Sequence, residues 1–400
     1  MVAASLYFAS VGLQGVIFSA LVVFELKADP IWVGTAQSAL MLPSVFFVLI
    51  GGHVADLVDR RRLLGTLSLL AGIAALGLLA LVAGDRLSLG AVIGYALLAG
   101  TIQAFIMPAR DAMLSDVSSE NLGRAVAGLL MAQWGSQAAG ALLGASARFI
   151  GIEAAIAMQA ALILISIPLI LRLPSSIPAA APASEPLHRA LLGGLFEVWR
   201  SPVLRIPFLL AVAVGIFTIG PYIVVLPVLV RNYYGGGVGE LGLLGTAFPL
   251  GTIVGSSIVL RRGIRRKGRA QALALCSSSS FILVISSGIP FPGALACVFF
   301  WGISGAIFMN AGRSLFQEKA SPTHRGRVLS VYTLGFMGAS GLIGAPLAGA
   351  LLDEIGIHAT LTGTASATLL TLLVIFLRGG FTTVDGESGE SGPHGLNPAP

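Results

Sequence analysis

Charge is scarce in this sequence. Only 10% of its 400 residues are Asp, Glu, Lys or Arg, against about 25% in an ordinary soluble domain. So little charge cannot cover a water-facing surface, which argues against a soluble enzyme. Cysteine is scarcer still. Cys276 and Cys297 are the only two, and both sit inside apolar runs, so neither a disulfide framework nor a thiolate metal site fits. His53, His188, His324, His358 and His394 are scattered, without partners at ligand spacing, so no metal and no cofactor is expected. A convergent Ser/His/Asp set is missing too, which disfavours a membrane enzyme. No stretch has the composition of a folded soluble domain, which disfavours a sensor. Alternating apolar and polar residues are also missing, which excludes a β-barrel.

Apolar and small residues are what the chain has in plenty: 56% is hydrophobic and 51 residues are glycine. A helix needs about 20 apolar residues to cross a bilayer. Twelve such runs occur, at residues 3–24, 33–53, 63–83, 88–108, 125–147, 152–172, 204–229, 239–260, 269–288, 291–311, 327–351 and 356–377. The first has no basic start, and Phe24-Glu25-Leu26-Lys27 offers no small-residue cleavage site, so it reads as a span and not a leader. The predicted fold class is an all-α membrane protein, its glycines letting helices approach closely.

The net charge of +6 is distributed unevenly. With the N-terminus in the cytoplasm, 20 of the 24 basic residues fall inside, and only Lys27, Arg86, Arg148 and Arg231 fall outside. The positive-inside rule therefore places both termini in the cytoplasm, and the charge serves topology, with no nucleic-acid partner. Residues 174–203 form a linker that begins with a Pro-, Ala- and Ser-rich stretch, and residues 379–400 a polar, Gly-rich tail predicted to be disordered. The linker divides the chain into six-helix halves at 1–173 and 204–378.

The halves repeat each other. GTIQAFIMPAR begins at Gly100 and GISGAIFMNAG at Gly302, an offset of 202 that pairs Ala104 with Ala306, Met107 with Met309 and Ala109 with Ala311. One residue further out of step, Gly123-Arg124 pairs with Gly326-Arg327. Gly34 likewise opens a span ending in Arg60 to Arg62, and Gly242 one ending in Arg265 to Lys267. Two parallel-repeat bundles about an axis along the membrane normal are a transporter architecture.

Between the second and third spans runs Gly51-Gly52-His53-Val54-Ala55-Asp56-Leu57-Val58-Asp59-Arg60-Arg61-Arg62-Leu63-Leu64. This resembles the cytoplasmic signature of the major facilitator superfamily, G-x-L-A-D-R-x-G-R-K-x-x-L. Gly52 holds its first position, Asp56 its acidic position, and Arg60 and Arg61 its basic pair. Leu57 and Asp59 depart from it, standing where Arg and Gly are common. Gly52 is expected to let the second helix approach its neighbour. Asp56 is expected to latch onto an adjacent helix N-terminus or an arginine, and so to favour one of two rocking states. The basic residues serve topology as well. Arg124 and Arg327, at equivalent helix starts, are expected to face the interface between bundles near Asp56, Asp111 or Glu318. Met107-Pro108-Ala109-Arg110-Asp111-Ala112 and Arg325-Gly326-Arg327-Val328-Leu329-Ser330 further resemble the branch that includes the enterobactin exporter and macrolide-efflux-type proteins.

That resemblance implies a central cavity lined by the first, fourth, seventh and tenth helices. The candidate lining residues are Gln14, Phe18, Gln103, Thr218, Tyr222, Trp301 and Ser304, with Gln133 and Gln137 sharing one face of the fifth helix. Each polar member would serve equally well as a helix–helix hydrogen-bond partner, and each aromatic as a lipid-facing anchor. No charged residue lies near the middle of any span. Glu25, Asp56 and Asp111, all near helix ends, are the candidate proton carriers. The function expected is proton-coupled export (antiport) of a small amphipathic molecule, such as a siderophore, drug or secondary metabolite. The expected setting is a bacterial inner membrane, with the lipid bilayer as partner and the protein a monomer. Uptake of a small metabolite is the competing reading.

Overall fold

A computed structural model describes residues 2–117, 122–173, 175, 187–320, 325–381 and 384–385. Their regular structure is entirely helical, as a bilayer requires of a chain that must satisfy its own backbone groups. Among the described residues, ten helices are long and apolar enough to cross a membrane. One of these, Val328–Leu377, has 50 residues, about 75 Å at 1.5 Å per residue, more than twice the hydrocarbon thickness. It breaks at Gly356, whose φ of 77° only glycine adopts without strain. Counting it as two crossings and adding Leu122–Ala145 gives twelve.

The spans are α1 (Val2–Ala20, prolonged by a π-helical turn Leu21–Glu25), α2 (Pro30–Leu57), α3 (Arg60–Ala83), α4 (Leu89–Val117), α5 (Leu122–Ala145) and α6 (Ile152–Leu171). After a linker helix, Leu187–Arg200, come α7 (Pro202–Asn232, with a π-helical turn Gly215–Ile219), α8 (Val238–Arg262), α9 (Lys267–Ser286), α10 (Phe291–Lys319), α11 (325–355) and α12 (357–377). Helices α2, α4 and α10 run several residues past their apolar stretches. The apolar run measures hydrocarbon depth, whereas backbone hydrogen bonding continues through polar residues beyond it. Local chemistry sets other ends. The Asp59 carboxylate caps α3 by accepting from the Arg61 amide at 3.0 Å, and Glu240 caps α8 by accepting from the Gly237 amide at 2.8 Å.

Within the first half α1 packs on α5, α2 on α4 and α3 on α6; within the second, α7 packs on α11, α8 on α10 and α9 on α12. Between the halves α5 packs on α8 and α11 on α2. This exchange is what a twofold axis generates, so two six-helix bundles are related by pseudo-twofold symmetry. The repeat has a steric basis. A Cβ on Gly100 would strike the Leu40 carbonyl of α2, and one on Gly302 would strike the Phe248 carbonyl of α8. A single offset relates both Leu40 to Phe248 and Gly34 to Gly242, and the latter two glycines each open a face to the opposite bundle. The segment after α12 is packed where it is described: Phe381 and Val384 are buried. The Asp385 carboxylate accepts from the Gly268 amide at 2.8 Å, at the start of α9.

Candidate functional site

Helices α1, α3, α4 and α6 enclose a polar pocket within the first bundle. Gln14 and Gln103 line it, with Tyr7, Ser10, Tyr95 and Gln159. Its volume is about 20 Å³, room for a water but not for a metabolite. Gln159 donates through Nε2 to the Tyr95 hydroxyl at 3.1 Å, and its Oε1 is buried without a partner. Gln14 lies within polar reach of Tyr95, and Gln103 within reach of Tyr7. Phe18 is buried, its ring 6.4 Å from that of Tyr95. Gln133 and Gln137 are half-buried on α5.

The second bundle answers with an aromatic cluster. The Tyr222 ring lies 5.0 Å from Phe248 and 5.3 Å from Trp301, the latter edge-on, and Phe248 and Trp301 are 6.1 Å apart. Edge-on geometry aligns the positive rim of one ring with the negative face of another. Thr218 is buried in the π-helical turn of α7, and such turns mark many functional sites. Ser304 turns away from the cluster: its hydroxyl is 3.0 Å from that of Ser277 on α9, a helix–helix contact inside the bundle.

The basic loops define one end of the molecule. There Arg60 donates through Nε to the Ala55 carbonyl at 3.0 Å. Arg61 donates through Nη1 to the Leu173 carbonyl at 3.3 Å and lies 3.7 Å from Asp59. Asp59, the departure from the signature, is thus the N-cap that organises the loop. The close approach expected at Gly52 belongs to its neighbour. A Cβ on Gly51 would meet the Ala104 carbonyl oxygen at 2.8 Å, whereas Gly52 has only Pro108 nearby, at 3.9 Å. One residue is a rotation of about 100°, and that rotation turns Gly51 toward α4. The side chains of Asp56, Arg124 and Arg327 lie outside the described residues. Asp111 is exposed and takes a 2.7 Å bond from Arg110, whose guanidinium lies 4.5 Å over the Phe8 ring. Glu318 pairs with Lys267. Glu25 is exposed at the opposite end.

Among the described residues, hydrogen bonds that join the bundles cluster toward that opposite end. Arg231 Nη1 donates to the Val23 carbonyl at 2.7 Å, and the Ile31 amide donates to Asp353 at 3.1 Å. Deeper in, Thr246 reaches the Ala138 carbonyl at 3.4 Å. The bundles are therefore clamped together at the end remote from the basic loops.

A sequence model of the Major Facilitator Superfamily matches residues 1–340 and, again, residues 208–398. The chain belongs to the Major Facilitator Superfamily. An MFS-type transporter of Mycobacterium bovis is 25% identical over 355 residues, covering 82% of this chain and 78% of its own. One from Mycobacterium tuberculosis matches to the same extent. Among solved structures, the nucleoside transporter NupG superposes with a TM-score of 0.74 at 14% identity, covering 94% of this chain and 98% of that one. A bacterial homologue of the lysosomal transporter Spinster, inward-facing and occupied, gives 0.73 at 12% identity, covering 99% and 98%. These likenesses are of fold. The chain is a multi-pass facilitator-superfamily transporter of small molecules. Five interior residues lie outside the expected lining: Tyr7, Ser10, Tyr95, Gln159 and Phe248. Gln159 carried a usable signal, a lone amide deep in an apolar run, where a polar group needs a partner.

Proposed function

We propose that this transporter exports a small amphipathic molecule in exchange for protons, by alternating access, as a monomer in a bacterial inner membrane. The observation that carries the reading is the chemistry at mid-depth. The first bundle presents amides and phenols, the second a cluster of aromatic rings, and neither presents a formal charge. Such a lining suits a neutral or weakly polar ligand with an apolar body, and the resemblance to the enterobactin-exporter and macrolide-efflux branch supports the outward direction. Gln14, Gln103, Gln133 and Gln137 would meet its polar groups, and Phe18, Tyr222 and Trp301 its apolar part. Thr218 would lie in the π-helical turn of α7.

In this reading residues 1–173 and 204–378 rock as two bodies joined by the 174–203 linker, with the basic end and both termini in the cytoplasm. The clamp at the opposite end then corresponds to an inward-facing state. Asp56, with Gly52, Arg60, Arg61, Arg124 and Arg327 around the basic loops, would form the gate that replaces this clamp when the transporter turns outward. Protons would travel on a carboxylate near a helix end, with Asp56 favoured over the exposed Glu25 and the Arg110-paired Asp111.

The test is transport in inverted membrane vesicles with an imposed pH gradient, using fluorescent amphipathic compounds. Vesicles containing the protein should accumulate compound when their interior is acid, and lose it when a protonophore collapses the gradient. Accumulation only in right-side-out vesicles, or accumulation indifferent to the gradient, would overturn direction or coupling respectively.

A further inference from the structure

The linker helix Leu187–Arg200 is built unlike any span. A single residue, Ser201, separates it from α7, which enters the membrane at Pro202. One residue reaches about 3.5 Å, so the end of this helix is held at the bilayer surface. With 14 residues it is too short to cross, since about 20 are needed.

Its last two turns show three faces. Gly194 and Val198 are buried, Val198 among Leu204, Phe316, Val328 and Tyr332 at the basic ends of α7, α10 and α11. Leu195, Phe196 and Trp199 form the next face, and they are 42%, 57% and 54% exposed. Arg200 borders that face, its guanidinium 4.1 Å above the Phe196 ring, and Glu197 lies beyond. Three large apolar side chains side by side are costly in water. A tryptophan and a phenylalanine bordered by an arginine match the polarity gradient from acyl chain to phosphate.

We propose that this helix lies in the bilayer interface, with Leu195, Phe196 and Trp199 among the upper acyl chains and Arg200 at phosphate level. Phospholipid is the partner of the exposed face. The opposite face holds α10 and α11, and α11 packs on α2 of the other bundle. The helix therefore ties the basic end of the second bundle to the membrane surface while the bundles move.

The test uses the full-length protein in nanodiscs. The emission of Trp199 is isolated as the difference between wild type and Trp199→Phe. Phospholipids brominated on the upper acyl chain should strongly quench that component, because an interfacial apolar face sits at the headgroup–acyl boundary. Phe196→Glu, which alters only the exposed face, should leave the protein folded and sharply reduce the quenching, because it draws the helix toward water. Absence of bromolipid quenching in the wild type overturns the proposal. Acrylamide then identifies what covers the face instead: strong quenching means water, and none means protein. Unchanged bromolipid quenching in Phe196→Glu would also overturn it, since Trp199 would then owe its depth to neighbouring spans.

Discussion

Gln159 and Tyr95 hold each other inside the first bundle, and each can be removed separately. Tyr95→Phe leaves the Gln159 Nε2 group desolvated and unpaired, at a cost of about 1–3 kcal/mol. Gln159→Leu removes the donor together with the orphaned Oε1, so its effect on stability should be smaller, within about 1 kcal/mol. Thermal unfolding in detergent is expected to rank Tyr95→Phe below Gln159→Leu. If the pocket receives the polar end of the substrate, both variants should lose transport regardless of that ranking. Gly51 and Gly52 form a second matched pair. Gly51→Val should abolish accumulation of folded protein, because its Cβ meets the α4 backbone, which cannot yield. Gly52→Ala should accumulate normally. At Asp56 the substitution Asp56→Asn keeps the shape and removes the charge. In the proposed gate, losing a charge-assisted bond worth about 1–3 kcal/mol would bias two states by roughly 5- to 150-fold. Efflux from cells with matched expression should fall accordingly; wild-type rates would remove Asp56 from the mechanism.

At the scale of elements, the bond from Arg231 on α7 to the last turn of α1 is the clearest device. Its acceptor is the Val23 carbonyl, in the π-helical turn of α1, where the normal helical bonding pattern is shifted and a carbonyl is free to take an outside donor. Arg231→Ala removes one partly buried, charge-assisted bond of about 1.5 kcal/mol. The equilibrium should shift roughly tenfold toward the state opened at that end. Distances between spin labels on the α3–α4 and α9–α10 loops, which lie at that end, should lengthen in Arg231→Ala. An unchanged distribution would mean that the α5–α8 and α2–α11 packing closes this end without the arginine.

For the whole molecule, the pseudo-twofold arrangement makes a covalent test available. Ile31 and Asp353 meet across the bundle interface. In a background lacking Cys276 and Cys297, the pair Ile31→Cys and Asp353→Cys should cross-link on mild oxidation and arrest transport, with recovery on reduction. Transport that persists in the cross-linked protein would mean that this end need not open.

Much of this architecture was legible in the chain. A bilayer admits only long apolar helices with polar turns between them, so the span count, the helical fold class and the repeat at an offset of 202 could be read directly. The break at Gly356 falls where one span was expected to give way to the next. Rotation about each helix axis was not legible. These helices are apolar on nearly all sides, so their sequences carry almost no periodic signal to say which face meets which neighbour. A one-residue step turns a side chain by about 100°. Only packing decided that Gly51 and not Gly52 closes on the α4 backbone, and that Ser304 faces Ser277. Only packing gathered Tyr95 and Gln159 around Gln14, and set Phe248 against Tyr222 and Trp301. The chain itself determined how many times it crosses the membrane, because hydration of the backbone enforces that count locally. Which groups share an interior was decided by the tertiary structure, because it depends on how rigid helices turn against one another.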